Sequence, residues 1–143
     1  MNRTNRHLFL SLLFPVLAAV AVFLVETLEG GKITTSEHFD MTSFAVLFGG
    51  MLAFPFYFVS FFAISVVVDR WLRRNWYVKL TAYVAVGVWC GWFVFNALYE
   101  QRFVEEYGLR METSVLLFAV AGALLVLAEK LFYVDPALAE TAE

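Results

Sequence analysis

Four long apolar segments constrain the fold of this chain more than any other feature of its sequence. They extend over about residues 8–28, 44–68, 77–99 and 114–134. A helix needs about 20 mainly apolar residues to cross roughly 30 Å of bilayer hydrocarbon, and each segment is long enough. None of them alternates apolar and polar residues with the period of two that is typical of a membrane β-strand. Because a backbone in lipid must satisfy its own hydrogen bonds, we predict four transmembrane helices.

The composition favours the same environment. Hydrophobic residues make up 62% and charged residues 16% of the 143 positions, whereas soluble domains contain roughly 45–50% apolar and about 25% charged residues. A water-soluble chain of this length could not bury so much apolar surface. We therefore predict an all-α membrane protein in which residues 1–143 form a single transmembrane domain, with the lipid bilayer as a partner.

The basic residues predict the orientation of the helices. Seven of them lie in the N-terminal tail, the middle loop and the C-terminal end: Arg3, Arg6, Arg70, Arg73, Arg74, Lys79 and Lys130. Three lie in the other two loops: Lys32, Arg102 and Arg110. Cytoplasmic loops carry an excess of Lys and Arg, so the side with seven is predicted to be cytoplasmic. The expected fold is an up-down bundle of four transmembrane helices, N-in and C-in.

The middle loop is predicted to lie at the lipid surface. It is a basic loop containing Arg70, Arg73, Arg74 and Lys79. A basic residue near anionic headgroups contributes about 1 kcal/mol to membrane binding. The same residues are also what the orientation rule requires of any protein with this topology.

The start of the chain and its small size predict the location. Arg3 and Arg6 precede the first apolar segment, as in a signal peptide. That segment is longer than the usual 7–15-residue apolar region and has no small-residue cleavage site after it, so we expect a retained helix. Compact loops and the absence of targeting signals favour a multi-pass protein of a bacterial plasma membrane.

Local signals refine two helix ends. Tyr99, Phe103 and Tyr107 recur every four residues, which predicts that the third helix extends to residue 107 beyond the membrane. Gly108 is suited to end that helix in the left-handed conformation. Thr113 or Ser114 is expected to cap the fourth helix.

Several functional classes are excluded by residue type. The single cysteine, Cys90, allows neither an intramolecular disulfide nor a CxxC motif. His7 and His38 flank the first helix, so they cannot hold a haem between two helices of one chain. A net charge of −3 offers no broad basic surface for nucleic acid. We expect no catalytic residue, no cofactor, no metal site and no nucleic-acid partner.

Polar side chains in or near the predicted spans are the candidate functional positions, because polar groups within a bilayer are costly. They are Glu26, Asn96, Glu100 and Glu129. Glu129 is expected to face the bundle and to form an ion pair with the arginines of the middle loop. Glu26 is expected to reach the membrane interface, and Asn96 to hydrogen-bond a neighbouring helix.

Small residues predict where helices approach each other. Gly87 and Gly91 form a G-x-x-x-G pattern, and Gly122 offers a similar face on the fourth helix. Such positions let two backbones come close together, within one chain or between two copies. Pro15 and Pro55 lie inside the first and second spans, where proline bends a helix.

These observations favour a non-enzymatic membrane protein that acts through helix contacts, as an accessory, regulatory or immunity- or stress-type protein bound to another membrane protein or to itself. The alternative is a small homo-oligomeric transporter or channel, in which the candidate polar residues line a shared aqueous path. An intramembrane enzyme is the weakest alternative, because no nucleophile, metal-ligand or acid–base set converges. The position of the polar side chains discriminates: a common cavity indicates transport, whereas scattered contacts indicate the first class.

Overall fold

Helices make up nearly all of the chain that the computed structural model describes, which is residues 3–34, 42–71 and 75–132. Helix α1 (Arg3–Leu28) is followed by a 3-10 turn at Gly30–Lys32. Helix α2 (Thr42–Tyr57), a π-helical turn (Phe58–Phe62) and helix α3 (Ala63–Trp71) follow one another without a break. The remaining helices are α4 (Trp76–Leu98), α5 (Gln101–Tyr107) and α6 (Met111–Leu131).

Four helical stretches are long and apolar enough to cross a membrane. They are His7–Lys32, Met51–Arg70, Trp76–Leu98 and Met111–Leu131. The all-α class and the number of candidate spans predicted from the sequence are confirmed. The chain is thus a helical protein whose composition and helix lengths suit a membrane.

Contacts between helices define two ends of the molecule. At one end, His7 near the start of α1 lies against Phe62 with ring centroids 4.8 Å apart. At the same end, Lys79 in the first turn of α4 bonds Glu129 in the last turn of α6. The opposite end holds the end of α1 and the start of α6, joined through Glu29. We call these the Lys79 end and the Glu29 end.

The contact between α4 and α6 is the most extensive in the molecule. A Cβ atom added at Gly91 would lie 2.7 Å from the carbonyl oxygen of Ser114, and one at Gly122 would lie 2.5 Å from that of Tyr83. A Cβ atom at Gly87 would also collide with the backbone of α6. All three glycines predicted to pack helices therefore lie at a close approach of two backbones within the chain.

Buried positions of α4 recur every four residues along this contact. They are Lys79, Tyr83, Gly87, Gly91 and Phe95. Side-chain ridges formed by residues four apart fit between the ridges of a neighbouring helix. The α4 face that meets α6 is therefore glycine-rich at its centre and charged at the Lys79 end.

The predicted extension of the third helix to residue 107 is wrong. Helix α4 ends at Leu98, because Tyr99 (φ −121°, ψ 126°) and Glu100 (φ −69°, ψ 146°) have extended backbones. The separate helix α5 follows and ends at Gly108, whose φ of 61° and ψ of 42° confirm the predicted left-handed stop. The four-residue pattern thus continues across a break in the helix.

The predicted cap of the fourth helix is also wrong. Helix α6 begins at Met111, three residues earlier than Ser114, and Arg110 occupies its cap position without a side-chain hydrogen bond. Ser114 instead donates a hydrogen bond of 2.8 Å to the carbonyl oxygen of Gly91. Its hydroxyl joins α6 to α4 where the backbones are closest.

Proline lies inside two helices, at Pro15 in α1 and Pro55 in α2. Pro55 has no amide hydrogen to donate to the preceding turn, and its ring crowds that turn. The π-helical turn begins three residues later, at Phe58. Within this wide turn, the Ser60 hydroxyl donates a hydrogen bond of 2.6 Å to the carbonyl oxygen of Phe56.

Candidate functional site

Three charged side chains meet at the Lys79 end. The Lys79 ammonium lies 2.8 Å from Oε1 of Glu129 and 2.8 Å from Oδ1 of Asp69. These residues come from three separate helices, α4, α6 and α3. One cation is therefore shared by two carboxylates.

Two hydroxyl groups complete this arrangement. Ser65 donates a hydrogen bond of 2.8 Å to Oε1 of Glu129 and accepts one of 3.0 Å from Lys79. The Tyr83 hydroxyl lies 2.9 Å from Oε2 of Glu129 and 3.0 Å from the carbonyl oxygen of Phe61. Its single hydrogen is shared between these two acceptors. We call Lys79, Glu129, Asp69, Ser65 and Tyr83 the Lys79 cluster.

The Lys79 cluster is largely closed to its surroundings. Lys79 is 6% exposed and Glu129 is 3% exposed. Breaking a buried ion pair by removing one partner costs about 3–5 kcal/mol, because an uncompensated charge is left behind.

The Lys79 cluster corrects one prediction. Lys79 does not belong to a lipid-facing basic loop: it lies inside α4 and its side chain is buried. Glu129 is buried and ion-paired, and Lys79, a residue outside the predicted set of arginines, is a cationic partner. Arg73 and Arg74 lie outside the described residues. The four-residue spacing of Lys79, Tyr83 and Gly87 in the sequence is the pattern that indicates Lys79 on the packed face of α4.

The other end contains a polar site that sequence analysis missed. Glu29 is only 3% exposed and accepts a hydrogen bond of 2.9 Å from the backbone amide of Arg110. Its carboxylate also accepts a hydrogen bond from the Thr113 hydroxyl and pairs with Lys32. A negative charge is favourable at a helix N-terminus, where amides are unpaired. Glu29 therefore caps α6 from the end of α1, and no local sequence signal indicates a contact across 81 positions.

The candidate residues Glu26 and Asn96 are bonded within the chain. Glu26 accepts a hydrogen bond of 2.6 Å from the hydroxyl of Tyr99, and its carboxylate lies against Gly30. Asn96 is exposed and donates a hydrogen bond of 2.7 Å to the carbonyl oxygen of Trp92 in its own helix. Asn96 was predicted to hydrogen-bond a neighbouring helix, whereas this bond lies within its own helix.

The four candidate polar residues are divided between the two ends of the molecule. Glu129 lies at the Lys79 end, whereas Glu26 lies at the Glu29 end. Glu100 is exposed at the cap position of α5. Among residues 3–34, 42–71 and 75–132, no three His, Cys, Asp or Glu side chains are grouped so that they could hold a metal ion.

A separate cavity lies between α1, α2, α4 and α6. Its volume is about 380 Å³. The lining is apolar, from Phe14, Ala18, Ala19, Val22, Gly49, Leu52, Ala53, Phe56, Trp89, Cys90, Phe93, Val94 and Phe118. We call it the apolar groove. None of the candidate polar residues is among these lining residues.

No protein family, curated protein or solved structure matches the chain.

Proposed function

We propose that this chain is a non-enzymatic, multi-pass protein of a bacterial plasma membrane that acts through contacts of its helices with another membrane protein, in an accessory, regulatory or immunity- or stress-type role. The observation that carries the proposal is the dispersal of its polar side chains. Glu26, Asn96 and Glu129 are each bonded within the chain, and Glu129 lies at the opposite end from Glu26. Such contacts stabilise one folded chain and do not form a shared polar path.

The proposed arrangement in the membrane is an up-down bundle with both termini in the cytoplasm. Its support is the grouping of helix ends, since the start of α1, the start of α4 and the end of α6 share the Lys79 end. The excess of Lys and Arg in the segments at that end favours its location on the cytoplasmic side. The Glu29 end then faces outward.

The proposed contact surface is the outer face of α4. Val88, Trp92 and Asn96 follow one another at four-residue spacing and are all exposed. In lipid, an amide side chain on an exposed helix face favours contact with a polar group of another helix, which is worth about 0.6–2 kcal/mol. The broad ring of Trp92 adds contact area beside it.

The test is purification of the tagged protein from its native membrane in mild detergent, with the mass of the complex measured. We expect a second protein in fixed stoichiometry. The double variant Trp92→Ala, Asn96→Leu should lose it. The double variant Leu116→Ala, Val120→Ala, on the exposed face of α6, should keep it. If both double variants keep the second protein, or if both lose it, the α4 face is excluded as the contact surface.

A transporter or channel built from several copies is the second candidate function. It is favoured by the Lys79 cluster, because ionisable residues inside a membrane commonly mark ion or proton pathways. Proton or cation flux into vesicles containing the purified protein, abolished by Glu129→Gln, would support it. A homo-oligomer without a second protein, combined with such flux, would replace the proposed helix-contact function.

A further inference from the structure

Two exposed cations lie at one level at the Lys79 end. Nζ of Lys79 lies 2.8 Å from a carboxylate oxygen of Asp69 in α3 and 2.8 Å from one of Glu129 in α6. Arg70 follows Asp69, and Lys130 follows Glu129, each one residue nearer to the end of its helix. One residue advances a helix by about 1.5 Å. Because the two carboxylates meet at a single atom, Arg70 and Lys130 lie at about the same height in the molecule.

Both cations point away from the Lys79 cluster. Neighbouring residues of a helix differ in direction by about 100°, and Arg70 and Lys130 are both exposed. Within residues 3–34, 42–71 and 75–132, neither side chain forms a hydrogen bond or an ion pair. The carboxylates described at this end, Asp69 and Glu129, both bind Lys79. The described part of the chain therefore offers no counter-charge to the two exposed cations.

An aromatic ring positions one of these cations. Nζ of Lys130 lies 4.8 Å from the centre of the Trp76 ring. Trp76 is the first residue of α4 and packs against the hydrophobic core. A side chain that is already ordered loses less conformational freedom when it binds a ligand. The ring accepts no hydrogen bond through an oxygen, so the N–H donors of the ammonium remain available to a phosphate.

The surroundings of the two cations indicate a lipid headgroup as their ligand. Trp and Tyr are enriched at the headgroup level of a bilayer, and Trp76 and the exposed Tyr77 begin α4 here. The apolar side chain of Leu131, next to Lys130, is 81% exposed. A ligand that carries both a phosphate and hydrocarbon suits such a surface. A zwitterionic headgroup would bring its own ammonium, which the cations repel, whereas a headgroup of net negative charge would not.

We propose that Arg70 and Lys130, with Trp76, bind the phosphate groups of anionic phospholipids in the leaflet at the Lys79 end. Lys130 of α6 thereby replaces the buried Lys79 in the lipid-facing basic surface predicted from the sequence. This inference goes beyond the proposed function and does not depend on a protein partner. It requires only that the four helices lie in a bilayer.

The first test measures lipid binding to the full chain in lipid-free detergent by native mass spectrometry. Phosphatidylglycerol is the anionic probe, and phosphatidylethanolamine is the zwitterionic comparison. A basic residue near an anionic headgroup contributes about 1 kcal/mol, which is about five-fold in affinity. We expect Arg70→Gln and Lys130→Gln each to weaken binding of phosphatidylglycerol about five-fold, and their combination about 25-fold. Binding of phosphatidylethanolamine should be weaker in the wild type and unchanged in the variants.

The matched control is the double variant Arg102→Gln, Arg110→Gln, which removes two exposed cations at the Glu29 end. Its net charge equals that of Arg70→Gln, Lys130→Gln, and it should keep the wild-type affinity for phosphatidylglycerol. The double variant Arg70→Lys, Lys130→Arg retains both charges and should also bind. Trp76→Phe should weaken binding less than Lys130→Gln does, because phenylalanine still attracts a cation, although less strongly than tryptophan.

A second test distinguishes a lipid headgroup from a free anion. Thermal melts of the wild type are compared in micelles with phosphatidylglycerol and in micelles with inorganic phosphate at the same concentration. We expect phosphatidylglycerol to raise the melting temperature and phosphate to leave it unchanged, because phosphate lacks the hydrocarbon that holds it at the surface. The rise should be lost in Arg70→Gln, Lys130→Gln.

Three results would overturn the proposal. They are equal losses of affinity in the two charge-removing double variants, equal affinity of the wild type for the two lipids, and equal stabilisation by phosphate and phosphatidylglycerol. The first would mean that net charge alone governs binding, and the last would assign the cations to a free anion. Because no partner protein is present in these measurements, failure here leaves the proposed helix-contact function to its own test.

Discussion

The ammonium of Lys79 lies 2.8 Å from Oε1 of Glu129 and joins the first turn of α4 to the last turn of α6. Asp69 binds the same ammonium from α3. One side chain therefore connects three helices at a single point. Its charge is also the one that the two carboxylates of the cluster share.

Lys79→Met should lower the free energy of unfolding by about 3–5 kcal/mol, because the buried carboxylate of Glu129 and the partly buried carboxylate of Asp69 lose their shared cation. Glu129→Gln should cost less, since an amide still hydrogen-bonds Ser65 and Tyr83, and it should leave membrane orientation unchanged. In thermal melts in detergent, the double variant should be less destabilised than the sum of the single losses. Additive losses would mean that the two charges do not interact.

Lys130→Met is the control for that series. Lys130 is exposed, and its ammonium lies 4.8 Å from the centre of the Trp76 ring. Loss of such an exposed cation–π contact costs about 0.5–1 kcal/mol. If the melting temperature of Lys130→Met were as low as that of Lys79→Met, removing any cation at this end would have the same effect.

Gly91→Ala should destabilise the α4–α6 contact by about 1–3 kcal/mol, because the new methyl group overlaps the backbone at Ser114. Gly91→Leu should prevent normal folding. Gly49→Ala is the control, since open space surrounds Gly49 and alanine favours helix by about 1 kcal/mol. Melting and size-exclusion chromatography measure both effects. Normal melting of Gly91→Leu with an altered oligomer size would assign the glycines to a contact between copies.

Glu29→Ala should lower stability by about 1–3 kcal/mol, because the Arg110 amide and the Thr113 hydroxyl lose their charged acceptor. Amide hydrogen exchange should accelerate at residues 110–113 before it changes elsewhere. Glu105→Ala, at an exposed position of α5, should leave exchange in that segment unchanged. Unaltered exchange in Glu29→Ala would show that Glu29 does not cap α6.

The proposed orientation predicts which cysteines a membrane-impermeant maleimide can reach. In a Cys90→Ala background, Gly31→Cys should be labelled in intact cells, because the Glu29 end faces outward. Asn5→Cys should be labelled only after the cells are opened. Both positions are exposed, so differences in burial do not explain a difference in labelling. The reverse pattern would invert the proposed topology.

Hydropathy and length were sufficient to locate the helices, because a bilayer permits few backbone solutions. The partner of Glu129 could not be predicted by the same means. The charge count groups Lys79 with the arginines of the middle loop, although Lys79 lies at the start of the apolar segment 77–99 and its four-residue spacing from Tyr83 and Gly87 places it on the packed face. Counting charged residues predicts which side of the membrane a loop faces, but it does not predict the direction in which a side chain points.

The other differences between the sequence predictions and the structure arise from contacts between residues that are distant along the chain. Tyr99 continues the four-residue pattern of α4, yet its backbone is extended and its hydroxyl bonds Glu26. Glu29 caps a helix that begins 82 positions later, at Met111. Local propensity has no information about either contact, because each depends on how the helices are arranged in space.

The π-helical turn after Pro55 has a consequence for the phase of the helix that contains it. The buried residues Ala53, Tyr57, Phe61 and Ser65 are spaced by four. In a regular α-helix each such step turns the face by about 40°, so three steps would turn it by about 120°. The wider turn offsets part of this rotation and keeps Ser65 aligned with the residues before it. Deleting a single residue from Phe58–Phe62 would rotate Ser65 and everything after it by about 100°, away from α4.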